Sequence, residues 1–232
     1  MKKQKLVVLT GAGISAESGI NTFRDANGLW EGHNITDVAS LEGWKKNKNL
    51  VLDFYNKRRK QLHEVIPNSA HTDLAKLEHY FDVHIITQNV DDLHERTGSK
   101  NVYHLHGELF KVCSENNKDN VITWKKDLTI NDKDASGNQL RPFIVWFGEE
   151  VPMINKAQEL VKEADILVII GTSLQVYPAA GLLYYANSNI PIYYIDKNPA
   201  TISHLPNKLT VIKDNATGGV KNLFQKITNN NA

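Results

Sequence analysis

The sequence contains very little cysteine, since Cys113 is the only one in 232 residues. A single cysteine excludes an intramolecular disulfide framework and a metal site built from several cysteines. An excess of one charge sign is missing too, because 27 basic residues face 26 acidic ones and the formal net charge is +1. We therefore expect no general electrostatic binding to nucleic acid or to an anionic membrane, and any recognition of anions must be local.

Long apolar runs are also absent. No segment approaches the roughly 18 consecutive apolar residues of a transmembrane helix. The first residues, MKKQKLVVL, place basic residues before an apolar run, as a signal peptide does. However, LVVL is far shorter than the roughly 7–15 apolar residues of such a peptide, so it predicts a buried first strand. We expect a cytoplasmic protein without a membrane partner.

Short apolar runs rich in β-branched residues recur along the chain: KLVVLT, VHIIT, ILVIIG, IPIYYI and LTVI. Their apolar character is continuous rather than alternating, which indicates strands buried on both faces of a parallel sheet. Helical patterns lie between them. The fold class is therefore α/β, a Rossmann-type parallel sheet with helices on both faces.

Two stretches interrupt this alternation and predict a small inserted subdomain. Residues 34–66 are largely helical, and residues 113–140 are polar and rich in turn formers. The predicted division is a nucleotide-binding domain with two insertions that pack together. The domain comprises residues 1–33, 67–112 and 141–232, and the insertions are residues 34–66 and 113–140.

A glycine-rich stretch follows the first predicted strand. Gly11, Gly13 and Ala16 have the spacing of a dinucleotide-binding loop, in which glycines permit a tight turn and a close approach to pyrophosphate. An ordinary strand–helix turn stays open as an alternative. The continuation differs from a dehydrogenase, because residues 34–50 show no second strand ending in an acidic residue. We therefore predict dinucleotide binding without hydride transfer.

Six motifs in this order resemble the sirtuins, the NAD-dependent protein-lysine deacylases. They span nearly the whole chain and are GAGISAESGINTFR, TQNVDDLHERTG, HLHG, RPFIVWFGE, GTSLQVYPAA and IDKNP. The resemblance implies that the protein consumes NAD as a co-substrate and acts on acylated-lysine proteins or peptides. The implied products are nicotinamide and 2′-O-acyl-ADP-ribose.

The resemblance also implies the cofactor-binding residues. Asp91 would meet the nicotinamide carboxamide, and Asp196 and Asn198 are polar candidates for the adenosine ribose. Several members of the set follow predicted strands, where open α/β sheets bind ligands. The full set is Gly11, Ala12, Gly13, Ser15, Ala16, Thr22, Phe23, Arg24, Trp30, Gln88, Asn89, Asp91, Gly171, Thr172, Ser173, Asn198 and Ala216.

The catalytic residues implied by the resemblance are His106 and Asn89. In the family, the acyl oxygen attacks the nicotinamide ribose, and a general base then activates a ribose hydroxyl. Histidine suits this role because its ordinary pKa of about 6.5 lies near the working pH. His104 and His106 alternate on a predicted strand that Gly107 ends, and we interpret His104 as structural.

Family members commonly hold zinc with four cysteines between the HG and RP motifs. Here that interval contains only Cys113, and residues 111–140 contain no histidine. Since structural zinc needs four nitrogen or sulfur ligands, we predict no structural zinc and no other metal. Packing must then hold this subdomain together. The candidates for its core are Val112, Val121, Ile122, Trp124, Leu128 and Ile130.

The stretch DFYNKRRKQL predicts which acyl group is removed. One branch of the family, active on succinyl- and malonyl-lysine, carries a Tyr-x-x-Arg pair, and Tyr55 and Arg58 have this spacing. Guanidinium and phenol groups are suited to a carboxylate. A solvated basic helix face is the alternative. It is the reading we keep for Lys57 and Lys60, and Arg59 stays undecided.

In FIVWFGE, Val145 and Phe147 are predicted to bind the substrate peptide by strand addition. Trp146 is interpreted as core. Acetyl groups are expected as further substrates. Mono-ADP-ribosyl transfer and a non-catalytic NAD-sensing module remain alternatives, and the oligomeric state is open.

Overall fold

The computed structural model describes residues 2–21, 29–30 and 32–228. Predicted site residues Thr22, Phe23 and Arg24 lie outside these ranges. The described strands are, in chain order, β1 (Lys5–Thr10), β2 (Leu29–Trp30), β3 (His33–Asn34), β4 (Asp82–Thr87), β5 (Val102–His104), β6 (Gly107–Ser114), β7 (Val121–Thr123), β8 (Leu140–Ile144), β9 (Ile166–Ile170), β10 (Ile192–Ile195) and β11 (Leu209–Ile212).

Described α-helices lie between β3 and β4, between β4 and β5, between β8 and β9, and after β11. The described α-helices are α1 (Ile35–Val38), α2 (Leu41–Lys46), α3 (Lys48–Glu64), α4 (Ser69–Leu77), α5 (Leu93–Arg96), α6 (Ile154–Lys162) and α7 (Ala216–Thr228). Short 3₁₀ turns cover Ala12–Ile14, Ala16–Ser18 and Ala179–Tyr185. Within the described ranges, no helix has the length and apolar character needed to cross a membrane.

The larger sheet is parallel throughout and has the strand order β11-β10-β9-β1-β4-β5. Strand β1 explains why the predicted strands read as continuous apolar runs. Leu6 and Val8 pack on one face together with residues of α4 and α7, whereas Val7 and Leu9 pack on the other with residues of α6 and the Ala179–Tyr185 turn. Because both faces are covered, every position from Leu6 to Thr10 is buried, which confirms the predicted α/β class.

The chain leaves β1 in one direction towards β4, and β9 pairs with the opposite side of β1. The carboxyl ends of β1 and β9 therefore mark a switch point in the sheet, which is the place where open α/β folds bind ligands.

A second, smaller sheet is antiparallel and has the order β7-β6-β8. Its core also takes side chains from α2 and α3, including Trp44, Val51 and Phe54. The two inserted stretches contact each other directly, since Asn56 Nδ2 donates to the Leu128 carbonyl over 3.0 Å and Lys48 Nζ lies 2.6 Å from Glu115 Oε2. The small sheet begins at Gly107 and ends at Ile144, so the predicted boundaries at 113 and 140 fall inside β6 and β8.

The predicted core of this subdomain is partly wrong. Val112 and Leu128 are buried, and Trp124 packs against the same core. By contrast, Val121 and Ile122 are exposed because β7 is an edge strand, and Ile130 is exposed in the turn that precedes β8. A period-2 pattern cannot distinguish an edge strand from a covered one when the neighbouring elements come from elsewhere in the chain.

Candidate active site

A cavity of about 910 Å³ opens between the carboxyl edge of the large sheet and the small sheet. Its size suits a ligand of dinucleotide dimensions, because small-molecule sites usually occupy about 300–1,000 Å³. Most of the predicted cofactor-binding residues that the structure describes line its wall. These residues are Gly11, Ala12, Gly13, Ala16, Trp30, Gln88, Asn89, Asp91, Gly171, Thr172, Ser173, Asn198 and Ala216.

The loops after β1 and β9 meet at this edge through their backbones. The Gly13 N–H donates to the Gly171 carbonyl over 2.8 Å, and a Cβ on Gly13 would stand 2.6 Å from the Gly171 Cα. Gly171 itself has a φ of +61°, in the left-handed region that favours glycine. The two glycines are therefore required first for loop-on-loop packing, and that packing leaves a cleft lined by backbone that suits the pyrophosphate of NAD.

Asn89, Ser15 and Asp91 form a hydrogen-bonded chain at one end of the cleft. Asn89 Nδ2 donates to Ser15 Oγ over 3.1 Å, and Ser15 Oγ donates to Asp91 Oδ2 over 3.0 Å. The Leu93 N–H donates to the other carboxylate oxygen of Asp91. Burial raises the pKa of Asp91, and the two hydrogen bonds oppose that rise. Ser15 is fully buried and lies behind the cavity wall, so it orients its neighbours from behind.

His106 lies in the same cavity, in the two-residue link between β5 and β6. Its Nδ1 is 2.9 Å from the Gln88 carbonyl oxygen. A carbonyl can only accept, so Nδ1 carries the proton and Nε2 is left to accept one. Nε2 bonds to no residue in the described ranges. Burial lowers the pKa of His106, and the bond to Gln88 opposes that effect, so the ring is neutral near pH 7.

The predicted strand through His106 is wrong. Strand β5 ends at His104, and Gly107 begins β6 instead of ending a strand. Gly107 has a φ of +82°, and a Cβ there would collide with the Phe143 carbonyl, so the chain turns at this point. His104 Nε2 lies 2.7 Å from Glu95 Oε1, and Nδ1 lies 3.0 Å from the Asn89 carbonyl. These contacts agree with the structural role predicted for His104.

Tyr55 and Arg58 lie on one face of α3, and both line the cavity that contains His106. The Arg58 guanidinium stands over the Phe54 ring, 4.7 Å from its centroid. Tyr55 is fully buried, and its hydroxyl accepts a hydrogen bond from Trp146 Nε1 over 2.9 Å. Burial raises the pKa of Tyr55 above its ordinary value of 10.0, so the phenol stays protonated.

The other cations of the DFYNKRRKQL stretch do not line the cavity. Lys57 and Lys60 are exposed, as predicted, and Lys57 pairs with Asp53 over 2.8 Å. Arg59, left undecided by the sequence, is buried in the subdomain. Its Nε donates to the Leu109 carbonyl over 3.2 Å, and its Nη1 donates to Asn56 Oδ1 over 2.7 Å. Burial lowers the pKa of Arg59 to about 10, and the side chain keeps its charge.

The three residues after β8 have different roles. Val145 and Phe147 line the cavity, and half of Phe147 is exposed, whereas Trp146 is buried as predicted. The Val145 N–H donates to the His106 carbonyl over 3.0 Å, and the Phe147 N–H donates to the Ala39 carbonyl over 2.9 Å. Since both N–H groups are already used, a peptide added at this edge would have to bond to carbonyl oxygens.

The Sir2 family description matches residues 11–178. The chain belongs to the Sir2 family.

Two relatives and one solved structure show how close the similarity is. A protein of Helicobacter pylori strain J99, named NAD-dependent protein deacylase, is 58% identical over 224 residues, which are 97% of this chain and 95% of that protein. A Bacteroides thetaiotaomicron protein of the same name is 53% identical over 228 residues, covering 96% and 97% of the two chains. The crystal structure of a Sir2 homologue in complex with NAD has a TM-score of 0.86 at 35% identity, covering 99% and 91%.

NAD is the cofactor of this Sir2-family chain, and the described residues fit it. Backbone from two glycine loops, the Gln88 amide and the hydroxyls of Thr172 and Ser173 line one continuous cleft. Asp196, at the end of β10, also lines it and accepts a hydrogen bond from the Asn198 N–H over 2.7 Å. Such groups are suited to hydrogen-bond ribose hydroxyls and phosphates.

Sequence reasoning missed one link in the cofactor cleft of this Sir2-family chain. Glu17 lines the cavity, and its carboxylate accepts from the Thr217 N–H over 2.9 Å, from Thr217 Oγ1 over 2.7 Å and from Asn215 Nδ2 over 2.8 Å. It ties the first glycine loop to the start of α7, next to Ala216. The partners are about 200 positions apart, so no local pattern signals this contact.

A buried histidine behind the cleft was also missed. His71 is fully buried, and its Nε2 is 3.5 Å from Ser15 Oγ. Burial lowers the pKa of His71 to about 4, so the ring is neutral where it backs the Asn89–Ser15–Asp91 chain. The only signal was its position three residues after Asn68, where its side chain completes the capping box of α4.

Within the described part of this Sir2-family chain, no group of three or more His, Cys, Asp or Glu side chains is arranged to hold a metal ion. Cys113 is buried and free. The absence of structural zinc stays a prediction, and metal analysis of the purified protein tests it.

Proposed function

We propose that this Sir2-family chain, an NAD-dependent protein deacylase, prefers lysines that carry succinyl or malonyl groups and also removes acetyl groups. The observation that carries the proposal is the position of Tyr55 and Arg58 in the same cavity as His106 and Asn89. The products are the freed lysine, nicotinamide and 2′-O-acyl-ADP-ribose. The cytoplasmic location is part of the same proposal.

The cleft holds NAD in a fixed orientation. NAD supplies the ribose that receives the acyl group and the nicotinamide that leaves. Asn89 and Asp91 line the end of the cleft where Ser15 holds both side chains in place. A rigid polar wall of this kind orients a bound ligand without reorganising during the reaction, which lowers the barrier.

His106 acts as the general base. Its Nδ1–H is held by the Gln88 carbonyl, which fixes the tautomer and leaves Nε2 to take a proton from a ribose hydroxyl. Because burial lowers the pKa of His106, the ring is ready to accept a proton at neutral pH. General-base catalysis of this kind contributes about 10²- to 10⁴-fold in rate.

Arg58 and Tyr55 select the acyl group. A succinyl or malonyl chain ends in a carboxylate, and burying that charge without a partner is costly. The Arg58 guanidinium supplies an opposite charge with paired N–H donors, and Tyr55 supplies a neutral hydroxyl. A hydrogen bond to a charged group contributes about 1.5–3 kcal/mol, which corresponds to about 10- to 150-fold in preference.

The test is a kinetic comparison of acetyl, succinyl and malonyl peptides with wild type and Arg58→Met. We expect Arg58→Met to lower kcat/KM on the acidic acyl groups by about 10- to 150-fold, mainly through KM, with a much smaller loss on acetyl. Lys57→Met is the matched control, because it removes an exposed cation one position earlier on the same helix. Equal losses on all three peptides would refute the acyl assignment.

Mass spectrometry of the products separates the alternatives. Formation of 2′-O-acyl-ADP-ribose supports deacylation. A modified acceptor protein would indicate ADP-ribosyl transfer, and unchanged NAD would indicate a sensing module.

A further inference from the structure

The hydroxyl of Tyr55 is held by a buried tryptophan. Trp146 Nε1 lies 2.9 Å from the Tyr55 oxygen, and at most 1% of either residue is exposed. An indole N–H can only donate, so the tyrosine oxygen is the acceptor. The phenolic proton is therefore directed away from Trp146, and it is donated to no residue in the described ranges.

Trp146 is itself fixed from several sides. The Arg141 guanidinium lies 3.4 Å above its ring, and the backbone N–H of Trp146 donates to Glu149 Oε2 over 2.9 Å. Arg141 and Glu149 are joined by two hydrogen bonds of 2.8 and 3.1 Å, and both side chains are 2% exposed. The stacked Arg141 guanidinium and the burial of the ring hold the indole, and its N–H points at Tyr55.

We infer that Trp146 is a positioning residue for acyl selection, whose indole N–H sets the Tyr55 hydroxyl so that its proton is donated to the carboxylate of a dicarboxylic acyl chain. The inference rests on the proposed preference for such chains. A hydroxyl that already accepts one hydrogen bond is polarised to donate another more strongly. It also loses less freedom on meeting the ligand, which is the advantage of a prearranged site.

The test is Trp146→Phe, which keeps an aromatic ring and removes the N–H. We expect the ratio of succinyl to acetyl kcat/KM to fall by about 2- to 10-fold. This fall should come from a higher KM for the succinyl peptide. Tyr55→Phe should lower the ratio at least as much. The double variant should match Tyr55→Phe alone, because the indole acts only through that hydroxyl.

Trp44→Phe is the matched control. Trp44 is 4% exposed, packs in the same core 5.5 Å from the Trp146 ring, and donates its N–H to Glu115 instead of Tyr55. Its substitution should leave the succinyl to acetyl ratio within about twofold of wild type, since it removes no contact to Tyr55. A fall in the ratio as large as that of Trp146→Phe would assign the effect to core packing and overturn the inference.

The outcomes distinguish this inference from the proposed function. A wild-type enzyme with no preference for succinyl or malonyl peptides removes the proposed function and the inference with it. A preference that Arg58→Met abolishes but Trp146→Phe leaves intact overturns only the inference. If Trp146→Phe does not fold, incorporation of β-(3-benzothienyl)alanine at position 146 makes the same test, because sulfur replaces the N–H in a ring of the same shape.

Discussion

Glu149 is the carboxylate whose loss should destabilise the small sheet most clearly. Its side chain is 2% exposed and accepts hydrogen bonds from the side chains of Arg141 and Lys118 and from the backbone N–H of Trp146. Burial alone would raise the pKa of Glu149, but these bonds outweigh burial and lower it from 4.5 to about 2. Glu149→Gln keeps the shape of the side chain and removes the charge, which leaves the buried Arg141 without its counter-ion.

The magnitude follows from the lowered pKa. At about 1.4 kcal/mol for each pH unit, the lowering corresponds to about 3 kcal/mol of stability. This agrees with the about 3–5 kcal/mol that breaking a buried ion pair usually costs. Because the folded pKa lies below the unfolded one, the contribution is complete above pH 4.5. It is lost as the pH falls through about 2.

Urea unfolding of wild type and Glu149→Gln between pH 7 and pH 2 measures the contribution of Glu149 to the free energy of unfolding. We expect the free energy of unfolding of the variant to be about 3 kcal/mol lower than that of wild type at pH 7. This difference should narrow as the pH falls below 4.5. Glu163→Gln is the control, because that carboxylate also pairs with a lysine over 2.6 Å but is 63% exposed. It should leave the midpoint unchanged. A difference for Glu149→Gln that does not vary with pH would refute the reasoning.

Two further predictions concern the cleft. His106→Ala should lower kcat on every acyl peptide by about 10²- to 10⁴-fold. In wild type, the acidic limb of the kcat/KM profile should lie below pH 6.5, because burial lowers the pKa of His106, and a limb above pH 6.5 would contradict the assignment. Gly171→Ala should destabilise more than Gly148→Ala in urea unfolding. Both have positive φ, but a Cβ on Gly171 would meet the Ile14 nitrogen at 2.5 Å, whereas one on Gly148 would meet no described atom within 4 Å. The left-handed conformation alone costs about 1–2 kcal/mol, so equal losses would mean that the loop contact is not tight.

The sheet was predictable because its signal is local. All five strands predicted from the apolar runs are present. In β1, the side chains from Leu6 to Leu9 alternate between two separate cores, so each of these positions must be apolar. The two faces of α3 were equally predictable from the sequence. Tyr55 and Arg58 reach the cavity and Lys57 is exposed, as helical spacing requires.

The errors arose where the decisive contact is distant in sequence. Gly107 turns the chain because the Phe143 carbonyl occupies the space of a Cβ, and no residue near Gly107 signals this. Val121 and Ile122 are apolar but exposed, because β7 is an edge strand and no further strand of the described small sheet pairs with its outer side. The bond from Trp146 to Tyr55 spans 91 positions, and the motif around Trp146 indicated only a core residue.

His106 follows β5, an edge strand of the large sheet, whereas Tyr55 and Arg58 lie on α3, a helix that packs on the small sheet. The residues proposed for catalysis and those proposed for the choice of acyl group therefore belong to different layers of the molecule and meet at the cavity. Under the proposed function, the helix surface that selects the acyl group can then change, by mutation or by design, while His106 and the NAD cleft stay intact. If α3 selects the acyl group as proposed, exchanging a few of its residues gives a lysine deacylase with a different acyl specificity on the same catalytic frame.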